Sequence, residues 1–298
     1  MPVDANSVRG QFESLFRPHK LRHKSPKTVY KYRLEIQRLE LFLRRPAMLP
    51  DLNDVVVGDA AEWVLSKDGL DLSVESTRGF QGRICRLWDF LARKRIVSEF
   101  PTIENLRRKK RIPLAWRRDE LAILWQALKR QPGEIGGLAV SDFFCSFLTV
   151  MWRTSERPGA MLQVEWSDVD LRAGWLRIAP EKRKGGCQGR VYRLTRDCVE
   201  WLDRIREPAR RLVWPWPHSY TYIFPRWKEI LRCAGLPHDR DRMFSCVRRS
   251  HASHLEAAGG DATSSLGHAS RETTVQHYLD PTIANDGDWP GERLFPLE

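Results

Sequence analysis

The sequence lacks any apolar run near the roughly 18 residues that a membrane-crossing helix requires. Its densest stretch, residues 143–152, is interrupted by Ser146 and Thr149, so no membrane partner is expected. The N-terminus carries charged and polar side chains where a secretory leader would be apolar, and the chain is expected to stay inside the cell. None of the six cysteines, Cys85, Cys145, Cys187, Cys198, Cys233 and Cys246, sits in a C-x-x-C pair. That spacing argues against a disulfide framework or a zinc knuckle and reads as reduced thiols. Acidic side chains are in deficit: 38 Asp and Glu against 50 Lys and Arg leave a formal charge of +12. Such a balance suits a polyanionic partner, nucleic acid first. It equally suits a protein that charge merely keeps soluble, and motifs must decide between the two.

With 42% hydrophobic residues over 298 positions, the chain has material for an ordinary core, and its length favours two domains over one. Ser25 followed by Pro26 announces a helix, since proline at the first helical position forfeits no hydrogen bond. Val29, Tyr32, Ile36, Leu39 and Leu43 then form one apolar stripe, leaving Lys27, Lys31, Arg33, Arg38 and Arg44 on other faces. A second helix is predicted from Ser76 and Thr77 onward, with Phe80, Ile84, Leu87 and Leu91 on one side, and a short one from Asp59 to Leu65 lies between them. These pieces form a small helical bundle ending about Val97. The basic run Arg107, Arg108, Lys109, Lys110 and Arg111 follows as a connector, with prolines on either side. Beyond it come a helix carrying Leu121, Leu124, Trp125 and Leu128 and a buried helix over residues 143–151. Two strand-like segments, 174–178 and 190–194, flank a glycine-rich basic turn, after which helical patterns resume. The fold class is therefore mainly α with a small antiparallel β-sheet.

Two segments carry chemistry. The first is Thr154-Ser155-Glu156-Arg157-Pro158-Gly159-Ala160-Met161, leading into Trp166-Ser167-Asp168-Val169-Asp170. The second is Val247-Arg248-Arg249-Ser250-His251-Ala252-Ser253-His254, followed by Leu266-Gly267-His268, Thr273-Thr274 and Tyr278. In their order and spacing these elements resemble the tyrosine recombinases, also called phage integrases. The resemblance implies a helical core-binding, DNA-binding domain over residues 1–104, a basic linker over 105–112, and a catalytic domain with a C-terminal tail over 113–298. It places Arg157 and Arg248 as the two catalytic arginines, His268 as the later histidine and Tyr278 as the nucleophile. A lysine of the β-turn completes the set: Lys182 is favoured, with Lys184 the alternative.

The chemistry that the resemblance implies is site-specific cleavage and rejoining of DNA strands. A tyrosine stores the energy of the broken phosphodiester as a 3′-phosphotyrosine. Paired guanidiniums hold the non-bridging oxygens as their charge rises, and a lysine protonates the departing 5′-oxygen. No cofactor and no metal are expected, since the guanidinium clamp supplies what a metal would. The implied partner is double-stranded DNA, bound by a homo-oligomer, a dimer per site and a tetramer in synapsis, in the cytoplasm and associated with the nucleoid. The apolar tail residues Trp289, Leu294, Phe295 and Leu297 either dock on a neighbouring protomer or fold back on their own core.

Three departures stand against full activity. Ser245 occupies the position, three before Arg248, where the family usually has histidine, and a hydroxyl cannot serve as a base near neutral pH. Ala160 stands three after Arg157, where the family usually has an acidic buttress. The segment 259–266 is also shorter than usual. The alternative expectation is accordingly a catalytically impaired DNA-binding accessory protein of the same fold.

Overall fold

A computed structural model of the chain describes residues 4–107, 111–183 and 188–285, and the chain divides into two compact units, Met1–Lys109 and Lys110–Glu298. Lys184, Cys187, Arg108, Lys109, Lys110 and the tail residues Trp289, Leu294, Phe295 and Leu297 lie outside the described residues.

The first unit is helical: α1 (Val8–Gln11), a π-turn (Phe12–Phe16), α2 (Arg17–Lys20), α3 (Pro26–Leu43), α4 (Asp54–Leu65) and α5 (Val74–Arg93). α3 follows the predicted stripe, and its Tyr32, Ile36 and Leu39 are buried. Lys27, Lys31, Arg33 and Arg44 are exposed as expected. Arg38 is not left free: with Arg83 of α5 it clamps the buried carboxylate of Glu35, at 2.6 and 2.9 Å. α4 begins five residues before Asp59 because the Asn53 side chain caps it, accepting from the Val56 amide at 2.9 Å. The α1–α2 segment, which the apolar pattern did not announce, drives Phe12 and Phe16 into the core against Tyr32. The chain after α5 stays attached to it as far as Leu106, since Gln81 donates to the Glu104 carbonyl and accepts from the Leu106 amide.

The second unit is built around one buried helix. Its elements are α6 (Arg118–Lys129), the hairpin β1 (Glu134–Ile135) and β2 (Leu138–Ala139), α7 (Val140–Thr154), α8 (Pro158–Met161), β3 (Val169–Asp170), β4 (Trp175–Ile178), β5 (Arg190–Arg193), α9 (Arg196–Arg204), α10 (Ile223–Cys233), α11 (Phe244–Ala257), α12 (Ala262–Leu266), α13 (Arg271–Tyr278) and α14 (Pro281–Ala284). α7 is buried around its circumference from Phe143 to Met151, the mark of a central helix. Its two internal hydroxyls in that stretch are satisfied: Ser146 accepts from Trp214 Nε1 at 3.0 Å and donates to the Asp142 carbonyl, and Thr149 donates to the Cys145 carbonyl. The expected hairpin is present as β4 and β5, paired antiparallel with Ile178 opposite Arg190. The Trp-x-Asp turn supplies a third strand, β3, on the other edge of β4.

Candidate active site

The segment carrying Arg157 is aimed by a backbone turn at the end of α7. Ser155 adopts a left-handed conformation, φ 49°, which ends the helix and reverses the chain. Glu156 then points inward, 1% exposed, and Arg157 follows half-buried as the cap residue of α8. Arg248 arrives from α11, buried at 3% exposure, and its Nε and Nη2 have no hydrogen-bond partner. Burial pulls its pKa below the ordinary arginine value and the Arg157 charge adds to that, while the Tyr278 phenol and the Glu156 carboxylate oppose it.

Tyr278 is the last residue of α13, and its ring lies 5.7 Å from the Arg248 guanidinium and 4.5 Å from the His268 ring. The chain is pinned on either side of the phenol by one hydroxyl: Ser253 Oγ of α11 donates to the Tyr278 carbonyl and accepts from the Asp280 amide at 2.8 Å. Asp280, itself buried, accepts from the Ala115 amide at 2.9 Å, tying this end to the start of the unit. His268 follows Gly267, whose φ of 69° ends α12 and whose missing Cβ leaves room for the Arg190 guanidinium. His268 Nδ1 pairs with the hydroxyl of buried Thr274 at 3.0 Å. Desolvation first, then the charges of Arg248, Arg157, Arg190 and His277, push its pKa down to about 4, so the imidazole is neutral near pH 7.

Lys182 ends a short 3-10 turn after β4, and its Nζ is bound by Asp168 Oδ2 at 2.6 Å and faces Glu165 Oε1 at 3.6 Å, both from the Trp-x-Asp turn. It shares with Arg157 a cavity of about 570 Å3 that Arg183, Trp216, His218 and Tyr220 also line. The structure thus brings Arg248, His268 and Tyr278 together within the field of Arg157. It places Lys182 beside Arg157 but tethered to carboxylates.

Ser245 is exposed in the first turn of α11. Neither nearby histidine stands in for an imidazole there. His254 Nε2 pairs with the Trp116 carbonyl at 3.0 Å, and His251 Nε2 with Ser265 Oγ at 2.8 Å, where burial first and then the Arg248 and Arg153 charges bring its pKa to about 4.

Several residues of the site escape sequence reasoning. Glu156 Oε1 accepts from the Arg157 amide at 2.8 Å, and its Oε2 accepts from Arg183 Nε at 2.7 Å and the Tyr192 hydroxyl at 2.8 Å. Burial is the largest single influence on this carboxyl and raises its pKa, but those bonds and the Arg183 and Arg248 charges outweigh it, so the net shift is downward. Arg190 spans to the end of α12, donating to the carbonyls of Ser264 and Ser265, both at 2.5 Å. The sequence of β5 does not mark them: Arg190 and Tyr192 take the half-buried face while apolar Val191 is exposed with Arg193.

No protein-family model matches the chain, and no curated protein matches it in sequence. Solved structures do match. A lambda integrase fragment, residues 75–356, solved as a dimer bound to a COC′ core site, is 18% identical with a TM-score of 0.67, over 95% of this chain and 98% of that one. The integrase of transposon Tn1549, solved with a circular-intermediate DNA, is 11% identical with a TM-score of 0.69, over 97% and 99%. The XerH site-specific recombinase, solved with a palindromic difH substrate after cleavage, is 16% identical with a TM-score of 0.67, over 92% and 80%. These proteins are tyrosine recombinases, and this chain has their fold, mainly helical with small antiparallel sheets.

Proposed function

We propose that the protein is a site-specific DNA recombinase or integrase that cleaves and rejoins strands through a 3′-phosphotyrosine on Tyr278. The observation that carries this reading is the buried Arg248, two of its donors unpartnered, set against the Tyr278 ring. Leaving buried donors unpaired costs about 1–3 kcal/mol, a cost that a phosphate oxygen entering the site would relieve.

The chemistry follows from the placement of the groups. The Tyr278 oxygen attacks phosphorus, forming the tyrosyl–phosphate bond as the bond to the 5′-oxygen breaks. Arg248 and Arg157 receive the non-bridging oxygens, where fixed donors in a site of low dielectric act most strongly. His268, neutral and in contact with Tyr278, can orient the phenol or hold a phosphate oxygen, and the phenol proton passes to water. Lys182, once released from Asp168, delivers a proton to the departing oxygen. Religation reverses these steps, with a 5′-hydroxyl expelling Tyr278.

Double-stranded DNA is the partner in this reading. Residues 1–104 serve as the DNA-binding domain, 105–112 as a basic linker and 113–298 as the catalytic domain and tail. Like the lambda integrase and XerH structures, which hold DNA, the protein assembles on its site as a dimer and in synapsis as a tetramer. Its place is the cytoplasm, on the nucleoid.

A second reading, a catalytically impaired DNA-binding accessory protein, draws on Ser245 and on the Asp168 tether of Lys182. Sequencing the DNA that the protein holds in cells identifies its site. A nicked suicide duplex carrying that site should then trap a covalent adduct with the wild type and none with Tyr278→Phe. Binding without any adduct favours the accessory reading. Relaxation of supercoiled plasmid lacking the site indicates a type IB topoisomerase activity instead.

A further inference from the structure

We propose that Glu156 is a positioning residue of this site: placed one residue before Arg157, its carboxylate supplies the buttress that Ala160 cannot and sets the guanidiniums of Arg157, Arg183 and Arg248 to receive an oxyanion. The inference rests on reading the site as one that binds phosphate.

Three groups converge on this one side chain, one from its own segment at the start of α8 and two from the β4–β5 hairpin. It fixes the backbone of Arg157 through its amide at 2.8 Å, the β4–β5 hairpin through Tyr192 at 2.8 Å, and the guanidinium of Arg183 at 2.7 Å. A carboxylate that is 1% exposed is retained at such a place only when its partners are strong, and here both oxygens are engaged. Its charge also acts on Arg248, the most buried cation of the site. Unopposed, guanidiniums gathered in a region of low dielectric repel one another, and each would turn toward water. One buried anion among them keeps them facing inward.

The local chain explains why the anion sits at 156. The left-handed turn at Ser155 directs residue 156 toward the hairpin, and the Thr154 hydroxyl holds that turn by accepting from the Glu156 amide at 3.3 Å. Ala160 is buried on α8 and ends in a methyl group. The acidic function has therefore moved across the arginine.

Glu156→Gln tests the inference, because glutamine keeps the shape and the acceptor for the Arg157 amide but removes the charge. Two readouts are taken: the rate of adduct formation on the suicide duplex beside affinity for the same DNA, and affinity for inorganic sulfate against chloride at matched ionic strength, followed by titration calorimetry. A group that only neutralised charge would, when removed, leave a more positive site that binds sulfate more tightly. A positioning group predicts the opposite sign. The expected result is unchanged DNA affinity, an adduct rate lower by on the order of 10- to 100-fold, the size of effect seen when a partner that orients a metal ligand is lost, and weaker sulfate binding. Tyr192→Phe should lower the rate in the same direction, and the double variant should be no worse than Glu156→Gln alone.

An adduct rate at the wild-type level, or sulfate bound as tightly or more tightly, overturns the proposal. Should Glu156→Gln not fold, Tyr192→Phe decides by the same measures. Should the wild type form no adduct, the recombinase reading fails while the sulfate comparison still decides this one. A wild type that also ignores sulfate removes both.

Discussion

Arg248 sits almost stripped of water beside Tyr278, with Nε and Nη2 unpartnered. A guanidinium can fill that role and an ammonium cannot, because the fork presents fixed parallel donors whereas a lysine offers one mobile point charge. Arg248→Lys is therefore expected to lower the first-order rate of adduct formation about 10²- to 10³-fold, the range for losing a transition-state oxyanion donor. DNA affinity should change little, since backbone contacts elsewhere supply most of it. A loss confined to affinity would show that Arg248 only binds. His268 differs in kind from the arginines around it. Its own desolvation, then their charges, keep it neutral, so in the proposed reaction it would offer a hydrogen bond and not a further cation.

At the scale of elements, the β4–β5 hairpin carries Lys182, the proposed general acid. Lys182 leaves the hairpin already paired with Asp168 and close to Glu165, so reaching a phosphate means exchanging that tether for the substrate. If the lysine gives its proton to the leaving 5′-oxygen, Lys182→Ala should slow cleavage of ordinary DNA but leave near-normal cleavage of a duplex with sulfur in place of that oxygen. A thiolate departs without a proton because thiols are far stronger acids than alcohols. Equal slowing on both duplexes would assign Lys182 to binding. The apolar stripes of α3, α5 and α6 were legible in the sequence, because each buries one face at regular spacing. The α1–α2 segment was not, since it is short, broken by a π-turn and interrupted by Pro18. The order of the motifs announced Arg157, Arg248, His268 and Tyr278. Glu156, Arg183 and Arg190 stayed hidden because their partners are brought to them only by the approach of the hairpin to the α7–α8 turn and to α12. The gap at Ala160 could not be resolved from spacing, because a left-handed serine at 155 leaves no mark in sequence.

The whole molecule carries a formal charge of +12, and DNA affinity should fall steeply as salt rises, log affinity against log salt giving a straight line of negative slope. A flat line would remove the basic DNA-binding surface. Stability should respond to acid before the carboxylates titrate. His251 and His268 both have folded pKa values near 4 against an ordinary 6.5. As pH falls below 6.5 the unfolded chain takes up protons that the folded chain refuses, so stability declines through this window and the whole penalty is present below about 4. Melting temperature should drop between pH 7 and 5, and His251→Gln should flatten the drop; an unchanged slope would contradict the assignment. The atom to which DNA becomes joined decides the mechanism. Digesting the trapped adduct and sequencing the peptide that carries the 3′-phosphate should place it on Tyr278. Its appearance on any other residue would contradict the account, as would a wild-type protein that holds its site and forms no adduct.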